Sequence, residues 1–273
     1  MKILIIGGGN MGLTYAQSFL RSHITSEQGM MILEKSPTKA AELAEKNIGT
    51  VYGTPEECVS NADLIIFAVK PQDSDAVFES IRPFVDAQQV VLSIMAGVKI
   101  KTIRDALGTP KIIRAMPNLP AQIGMGMTAF TSSDEVTRIE LVMVQNLINT
   151  TGKTVYVEKE ESIDAATAIS GSGPAYVYYF MDAMIQAAQS MGFSTSEAEL
   201  LVSQTFKGAV DLYNKSDYSC EEWIKKVSSK GGTTEAAMQS FIENKIHKDI
   251  IEGTEAALNR AVELGKQKVS AKQ

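Results

Sequence analysis

The chain has 273 residues, enough for two cores, and 44% of them are hydrophobic against 21% charged, which excludes a disordered protein. Its formal net charge is −6 with no block of like charges, which argues against nucleic acid or an anionic membrane as the main partner. No apolar run reaches the roughly 18 residues of a membrane span. The apolar start, Ile3 to Ile6, runs straight into glycines and lacks the h-region and cleavage site of a signal peptide. The expectation is a soluble cytoplasmic protein. Cys58 and Cys220 share no motif and no Cys/His cluster surrounds them, so no metal site is expected. Both read as buried or half-buried thiols of a reducing compartment.

Lys2–Ile6 predicts a buried strand and Gly9–Arg21 a helix. Met30–Leu33 predicts a second strand. Pro37–Lys46 predicts a helix with Ser36 as N-cap and proline at the first helical position. Thr54-Pro55-Glu56-Glu57 carries the signals of another helix start. Leu64–Val69, Val90–Ile94 and Lys111–Ala115 predict further strands, with a helix at Asp73–Ile81. Met127–Phe130 and Thr154–Val157 are short strands on either side of a helix at Asp134–Asn149. Continuous apolar strands alternating with helices mark a parallel sheet buried on both faces, a doubly wound α/β (Rossmann) domain.

Beyond Val157 the pattern becomes helical. Pro174–Met191 ends at Gly192, and Ser194-x-x-Glu197 is a capping box for a helix reaching Tyr213. Glu221–Val227, Thr234–Glu243 and Asp249–Leu264 follow. The expected organisation is therefore a dinucleotide-binding domain over 1–160 and a helical domain over 161–273. An all-helical half with this much apolar surface often dimerises.

Gly7-Gly8-Gly9-Asn10-Met11-Gly12 fits GxGxxG between the first strand and the first helix. The first glycine permits a tight turn, the second lets backbone approach a pyrophosphate, and the third lets helix and strand pack closely. The helix start adds free N–H groups and a positive dipole. NADPH or NADH is the implied cofactor, lined by Ile6, Gly7, Gly9, Asn10, Met11 and Gly12. The end of the second strand, Glu34-Lys35-Ser36, leaves the choice open, with Lys35 and Ser36 tilting it slightly toward NADPH. An acid there holds ribose hydroxyls and repels a 2′-phosphate, whereas Lys35 and Ser36 would welcome one. Glu34 could equally be a solvated acid at a helix start. Ala68-Val69-Lys70-Pro71 and Met95-Ala96-Gly97 end the next two strands, where a dinucleotide lies. Taken alone, Lys70 reads as a solvated strand-end charge and Ala96-Gly97 as an ordinary turn.

Ser170-Gly171-Ser172-Gly173-Pro174-Ala175-Tyr176 reads by itself as a close packing site before a helix. Ser228-Ser229-Lys230-Gly231-Gly232-Thr233-Thr234 gathers amides and hydroxyls at another helix start, a natural carboxylate site. The alternative there is a helix capped by Thr233 or Thr234.

Together with Arg114-Ala115-Met116-Pro117-Asn118, these segments stand in an order and spacing that resembles the pyrroline-5-carboxylate reductases over nearly the whole chain. The resemblance implies a Rossmann domain joined to a helical dimerisation domain, a homodimer that assembles further, and reduction of Δ1-pyrroline-5-carboxylate to L-proline. It implies that Gly232, Thr233 and Thr234 hold the substrate carboxylate, with Ser229 lining the pocket. Thr234, the catalytic candidate, would direct its hydroxyl at the ring nitrogen. It further implies a substrate contact from Glu160, and a contribution to the site from the dimer partner. Leu119 and Lys230 depart from the family pattern, standing where it usually has threonine and proline. Thr54-Pro55 replaces its usual asparagine. These departures bear on affinity more than on reaction class.

A β-hydroxyacid dehydrogenase would need a catalytic lysine on the helix after the junction. Tyr176, Tyr178, Tyr179 and Asp182 stand there, and no lysine does. A non-catalytic NADPH-binding protein finds its only support in Leu119 and Lys230. His23, in a helix-to-strand loop, and His247, at a helix start, read as surface or capping residues.

Overall fold

The computed structural model of the chain describes the backbone of residues 1–270 and side chains through Lys266. It divides into two compact units, Met1–Ser172 with 257–273, and Gly173–Ala256.

In chain order the first unit contains β1 (Ile3–Ile6), α1 (Asn10–Arg21), β2 (Met30–Leu33), α2 (Pro37–Ala44), β3 (Thr50–Tyr52), β4 (Leu64–Phe67), α3 (Ser74–Ile81), β5 (Val90–Ser93), α4 (Ile100–Leu107), β6 (Ile112–Met116), β7 (Gly126–Ser132), α5 (Arg138–Asn149), β8 (Gly152–Tyr156) and α6 (Glu161–Ala166). The strands form one sheet in the order β3-β2-β1-β4-β5-β6-β7-β8. Its pairs are parallel except β6 with β7, which run antiparallel.

Strand side chains alternate between two cores, as a pleat with period two requires. Ile3, Ile5, Ile32, Ile66 and Leu92 meet Tyr15 and Phe19 of α1 and Leu147 and Ile148 of α5. Leu4, Ile6, Ile65, Phe67 and Val91 meet Phe78 and Ile81 of α3 and Ile103 and Leu107 of α4. All four residues of β1, β2, β4 and β5 are buried, which is why they read as unbroken apolar runs.

Several local signals act as expected. Ser36 accepts the Lys39 N–H ahead of Pro37. Thr137 and Glu140 form a capping box, so α5 starts at Arg138 and not at Asp134. Thr54–Glu57 does not. Pro55–Glu57 is a single 3₁₀ turn, and Thr54 makes no side-chain cap bond. Cys58 breaks away at φ −130°, and a second 3₁₀ turn follows over Val59–Asn61. Cys58 and Val59 are both buried against the core below β4, and two short turns lead the chain into that strand. Burial, with the Glu57 and Glu56 charges beside it, pushes the Cys58 thiol up to about 11, so it is inert at neutral pH. Cys220 is exposed, contrary to expectation, because it opens a helix at the first position with its side chain outward.

The second unit holds α7 (Gly173–Ser190), α8 (Thr195–Tyr213), α9 (Cys220–Val227), α10 (Thr233–Glu243) and the first part of α11 (Ile246–Ser270). Ser194–Glu197 and Ser219–Glu222 are capping boxes. The compact units divide at Gly173, whereas the sequence reading divides the chain after residue 160. α6 and the π-helical turn Thr167–Gly171 stay with the sheet because Arg114 pairs with Asp164 and the Asn118 amide donates to the Ser170 carbonyl.

Candidate functional site

The carboxyl ends of β2, β1, β4 and β5 are in register: Ile6 lies beside Leu33 and Phe67, and Phe67 beside Ser93. The four expected cofactor segments, 6–12, 34–36, 68–71 and 95–97, leave the sheet along this one edge. Backbone bonds hold them there. Gly7 N donates to Leu33 O at 3.0 Å, Ala68 N to Ile6 O at 2.9 Å, and Ile94 N to Phe67 O at 3.1 Å. The strand order reverses between β1 and β4, and such a reversal opens the crevice in which doubly wound sheets bind ligands.

The glycines have separate reasons. Gly7 turns at φ +102°, and a Cβ there would lie 2.9 Å from Ala68 O. A Cβ on Gly12 would come within 2.2 Å of Gly7 O, so helix and loop could not approach. Gly8 faces Leu43 Cδ1 and Glu34 Oε2. Only Gly9 looks into open space, with nothing within 4 Å of its would-be Cβ. Gly9 is also the N-cap of α1 and supplies no side-chain bond. The first helical bond runs from Leu13 N to Gly9 O, so the amides of Asn10, Met11 and Gly12 lack helical partners. An open Cβ direction beside three free amides suits a pyrophosphate. Gly9→Ala is accordingly expected to leave the melting temperature within about 2 °C while weakening NAD(P)H binding roughly tenfold. Calorimetric titration with a parallel thermal melt checks this, and unchanged affinity would remove Gly9 from the site.

Ile6 and Met95 are core side chains, so they offer only backbone to a ligand. Lys35 and Lys70 are exposed, and Ala68, Val69 and Pro71 are half-buried. Gly97, at φ +72°, has a packing reason of its own: a Cβ would lie 3.2 Å from the backbone N of Gly265 in α11. Glu34, left open by the sequence, is held by the loop. Its Oε2 accepts the Gly8 N–H at 3.1 Å and its Oε1 the Ser36 N–H at 2.9 Å.

In the second unit, Ser229, Gly232, Thr233 and Thr234 stand together at the start of α10. Gly231 turns at φ +72°, and its N–H donates to Glu235. Gly232 N donates to Ser229 O at 2.9 Å, so its own amide is taken. What Gly232 supplies is the missing side chain, since a Cβ would meet Ser229 Oγ at 2.5 Å. Gly232 is the N-cap, so neither threonine caps the helix. Among the described residues, the first-turn amides and the two threonine hydroxyls have no hydrogen-bond partner. Ser228 Oγ is buried with no partner among the described residues. An orphan hydroxyl beside free amides is the chemistry of an anion cradle. Lys230 is exposed on the same turn.

Glu160 is in the first unit. It precedes α6, and its Oε1 accepts both the Ile100 N–H at 2.8 Å and the Arg114 guanidinium at 3.1 Å. Arg114 is 1% exposed and pairs also with Asp164 at 2.6 Å. Asn118 donates to Ser170 O and accepts the Met127 N–H. The Arg114–Asn118 motif therefore fastens α6 and the small-residue segment to the sheet, which its position in the sequence did not reveal. Among the described residues, no group of His, Cys, Asp or Glu is arranged to hold a metal ion.

The NADP oxidoreductase coenzyme F420-dependent family model matches residues 2–97, and the pyrroline-5-carboxylate reductase dimerisation model matches residues 160–264. Pyrroline-5-carboxylate reductase 2 of Bacillus subtilis is 35% identical, over 97% of this chain and 96% of its own. The chain belongs to the pyrroline-5-carboxylate reductase family. The Pseudomonas aeruginosa member is 31% identical over 97% of both chains. The crystal structure of the Plasmodium falciparum member, with NADP bound, superposes with a TM-score of 0.88 at 29% identity and covers 97% of this chain and 98% of its own. The two matched ranges include the sheet edge and the α10 segment described above.

Proposed function

We infer that the chain is an NAD(P)H-dependent reductase that transfers hydride to the imine carbon of Δ1-pyrroline-5-carboxylate and yields L-proline, the last step of proline biosynthesis. The observation that carries the substrate half is the segment Ser228–Thr234, with its uncapped helix start and orphan hydroxyl. A dinucleotide loop alone would fit many reductases.

The cofactor supplies the hydride when bound. The chain's own residues position the reactants. The amides of Asn10, Met11 and Gly12 hold the pyrophosphate, with Lys35, Ser36, Lys70 and the backbone of Ile6, Ala68–Pro71 and Met95–Gly97 along the same edge. Gly232 keeps the α10 start clear, Thr233 and Ser229 bind the substrate carboxylate, and Glu160 is the acid that the family resemblance assigns to substrate contact. The Thr234 hydroxyl faces the ring nitrogen and passes it a proton from water. A protonated cyclic imine is already a good hydride acceptor, so positioning is the main requirement. No histidine is among the residues given a role. Loss of NAD(P)H absorbance on adding pyrroline-5-carboxylate, with proline as product, tests the reading. Cofactor binding without oxidation would overturn it in favour of a non-catalytic binding protein.

Residues 1–160 act as the dinucleotide module and 161–273 as the substrate and dimerisation module, a division supported by the family match that begins at residue 160. In the second unit only Ala198 and Val202 of α8 are buried hydrophobics, while Val177, Tyr178, Tyr179, Leu200, Leu201 and Phe241 are exposed. Helices that leave this much apolar surface uncovered need a partner. On this reading the protein is a cytoplasmic homodimer that assembles into a larger homo-oligomer, with no nucleic-acid or membrane partner. No described helix is long and apolar enough to cross a membrane. Leu200→Glu with Leu201→Glu is expected to reduce the light-scattering mass toward a single chain. A mass unchanged from wild type would place the interface elsewhere.

A further inference from the structure

The Glu34 carboxylate occupies a fixed place at the end of β2. Two backbone amides hold it, one from the glycine loop and one from the start of α2, at 3.1 and 2.9 Å. Leu43 Cδ1 and Glu34 Oε2 together fill the space beside Gly8, where a Cβ would stand 2.2 and 3.3 Å from them. Among the described residues no lysine or arginine forms an ion pair with Glu34. Its charge is therefore held in position and left uncompensated. Each oxygen accepts one amide and keeps a second lone pair for a hydroxyl.

The groups that would welcome a phosphate are committed or solvated. The Ser36 N–H is spent on Glu34, and the Ser36 Oγ accepts the Lys39 N–H as N-cap. Lys35 is exposed and forms no ion pair among the described residues, so its charge is screened by solvent. In a doubly wound fold the group at the end of the second strand faces the adenosine ribose. We propose that Glu34 makes this reductase NADH-preferring: it accepts the ribose hydroxyls of NADH and repels the 2′-phosphate of NADPH. This rests on reading Gly7–Gly12 as the dinucleotide loop.

The test is calorimetric titration of the full chain with NADH and with NADPH, at low and at high salt. Wild type is expected to bind NADH about tenfold more tightly or better, with the ratio narrowing as salt rises, since a phosphate monoester carries up to about two charges. Glu34→Gln and Glu34→Ser are expected to bring the two affinities within about threefold, mainly by tightening NADPH. Equal or tighter binding of NADPH by wild type would overturn the proposal, as would folded variants that keep the wild-type ratio. If a variant fails to fold, the wild-type ratio and its salt dependence still decide. Binding of neither cofactor would instead overturn the dinucleotide reading, and the proposal with it.

Discussion

Thr234→Ala is expected to lower kcat with pyrroline-5-carboxylate about a hundredfold or more, while KM changes by only a few fold and the melting temperature holds. The second half of that expectation comes from the helix start. Gly232, and not a threonine, is the N-cap of α10, and its cap position carries no side-chain bond. Removing the Thr234 hydroxyl therefore strips no cap, which elsewhere would cost about 1 kcal/mol. The side chain is half-buried, so little packing is lost. The first half comes from chemistry. A threonine hydroxyl is too weak an acid to act by pKa, but it can hold the ring nitrogen and hand on a proton from water. Thr234→Ser retains that hydroxyl and should recover most of the rate. Thr233→Ala, which touches only the carboxylate, should raise KM more than it lowers kcat. Steady-state kinetics on the three variants checks the pattern, and a wild-type rate from Thr234→Ala would remove the residue from the chemistry.

The features legible in the sequence were those made by neighbours in the chain. Gly7–Gly12 sits directly between β1 and α1; Gly7 and Gly12 meet close contacts at the positions the motif gives for a tight turn and close packing, while Gly9 faces open space. Ser36 before Pro37 and Ser194 before Glu197 cap as they read. What escaped was fixed by residues far away. α4 has the right spacing in Ile100, Ile103 and Leu107, and Gly108 ends it in the left-handed region. Yet its N-cap is Lys99, which makes no cap bond, and the Ile100 N–H is satisfied by Glu160 sixty residues later. No local signal marks such a start. β3 is three residues on the sheet edge, paired only with β2 and partly exposed, too short for a clear alternation. Glu34 was ambiguous for the same reason: its partner amide, Gly8, lies 26 residues upstream. Thr54–Glu57 is the converse, a strong local signal that yields only a 3₁₀ turn, because Cys58 breaks away at φ −130° and the chain is within a few residues of β4.

The distant contacts also set the second large expectation. Arg114→Met should destabilise the protein by about 3–5 kcal/mol, a fall of roughly 6–20 °C in melting temperature at equal protein concentration. Arg114 lies on the interior strand β6 at 1% exposure, and its partner Asp164 is almost as buried at 6%. Its Nε has no partner among the described residues, so the two carboxylates are what balance this charge. Removing the cation strands Asp164 in a place it cannot leave. A buried charge that has lost its partner costs more than the pair gained by forming. Asp164→Asn should therefore cost less than Arg114→Met, because Glu160 still meets the guanidinium. Replacing both, Arg114→Met with Asp164→Leu, should recover much of the loss, since neither charge then remains buried alone. Chemical denaturation of the single and double variants measures this coupling. Additive losses in the double variant would mean that the pair acts through packing alone. The same variants report on function, because Glu160 joins Arg114 to the start of α4, and Asp164 anchors the helix that leads to Ser170. A loosened α6 should lower kcat/KM at temperatures where the fold still holds.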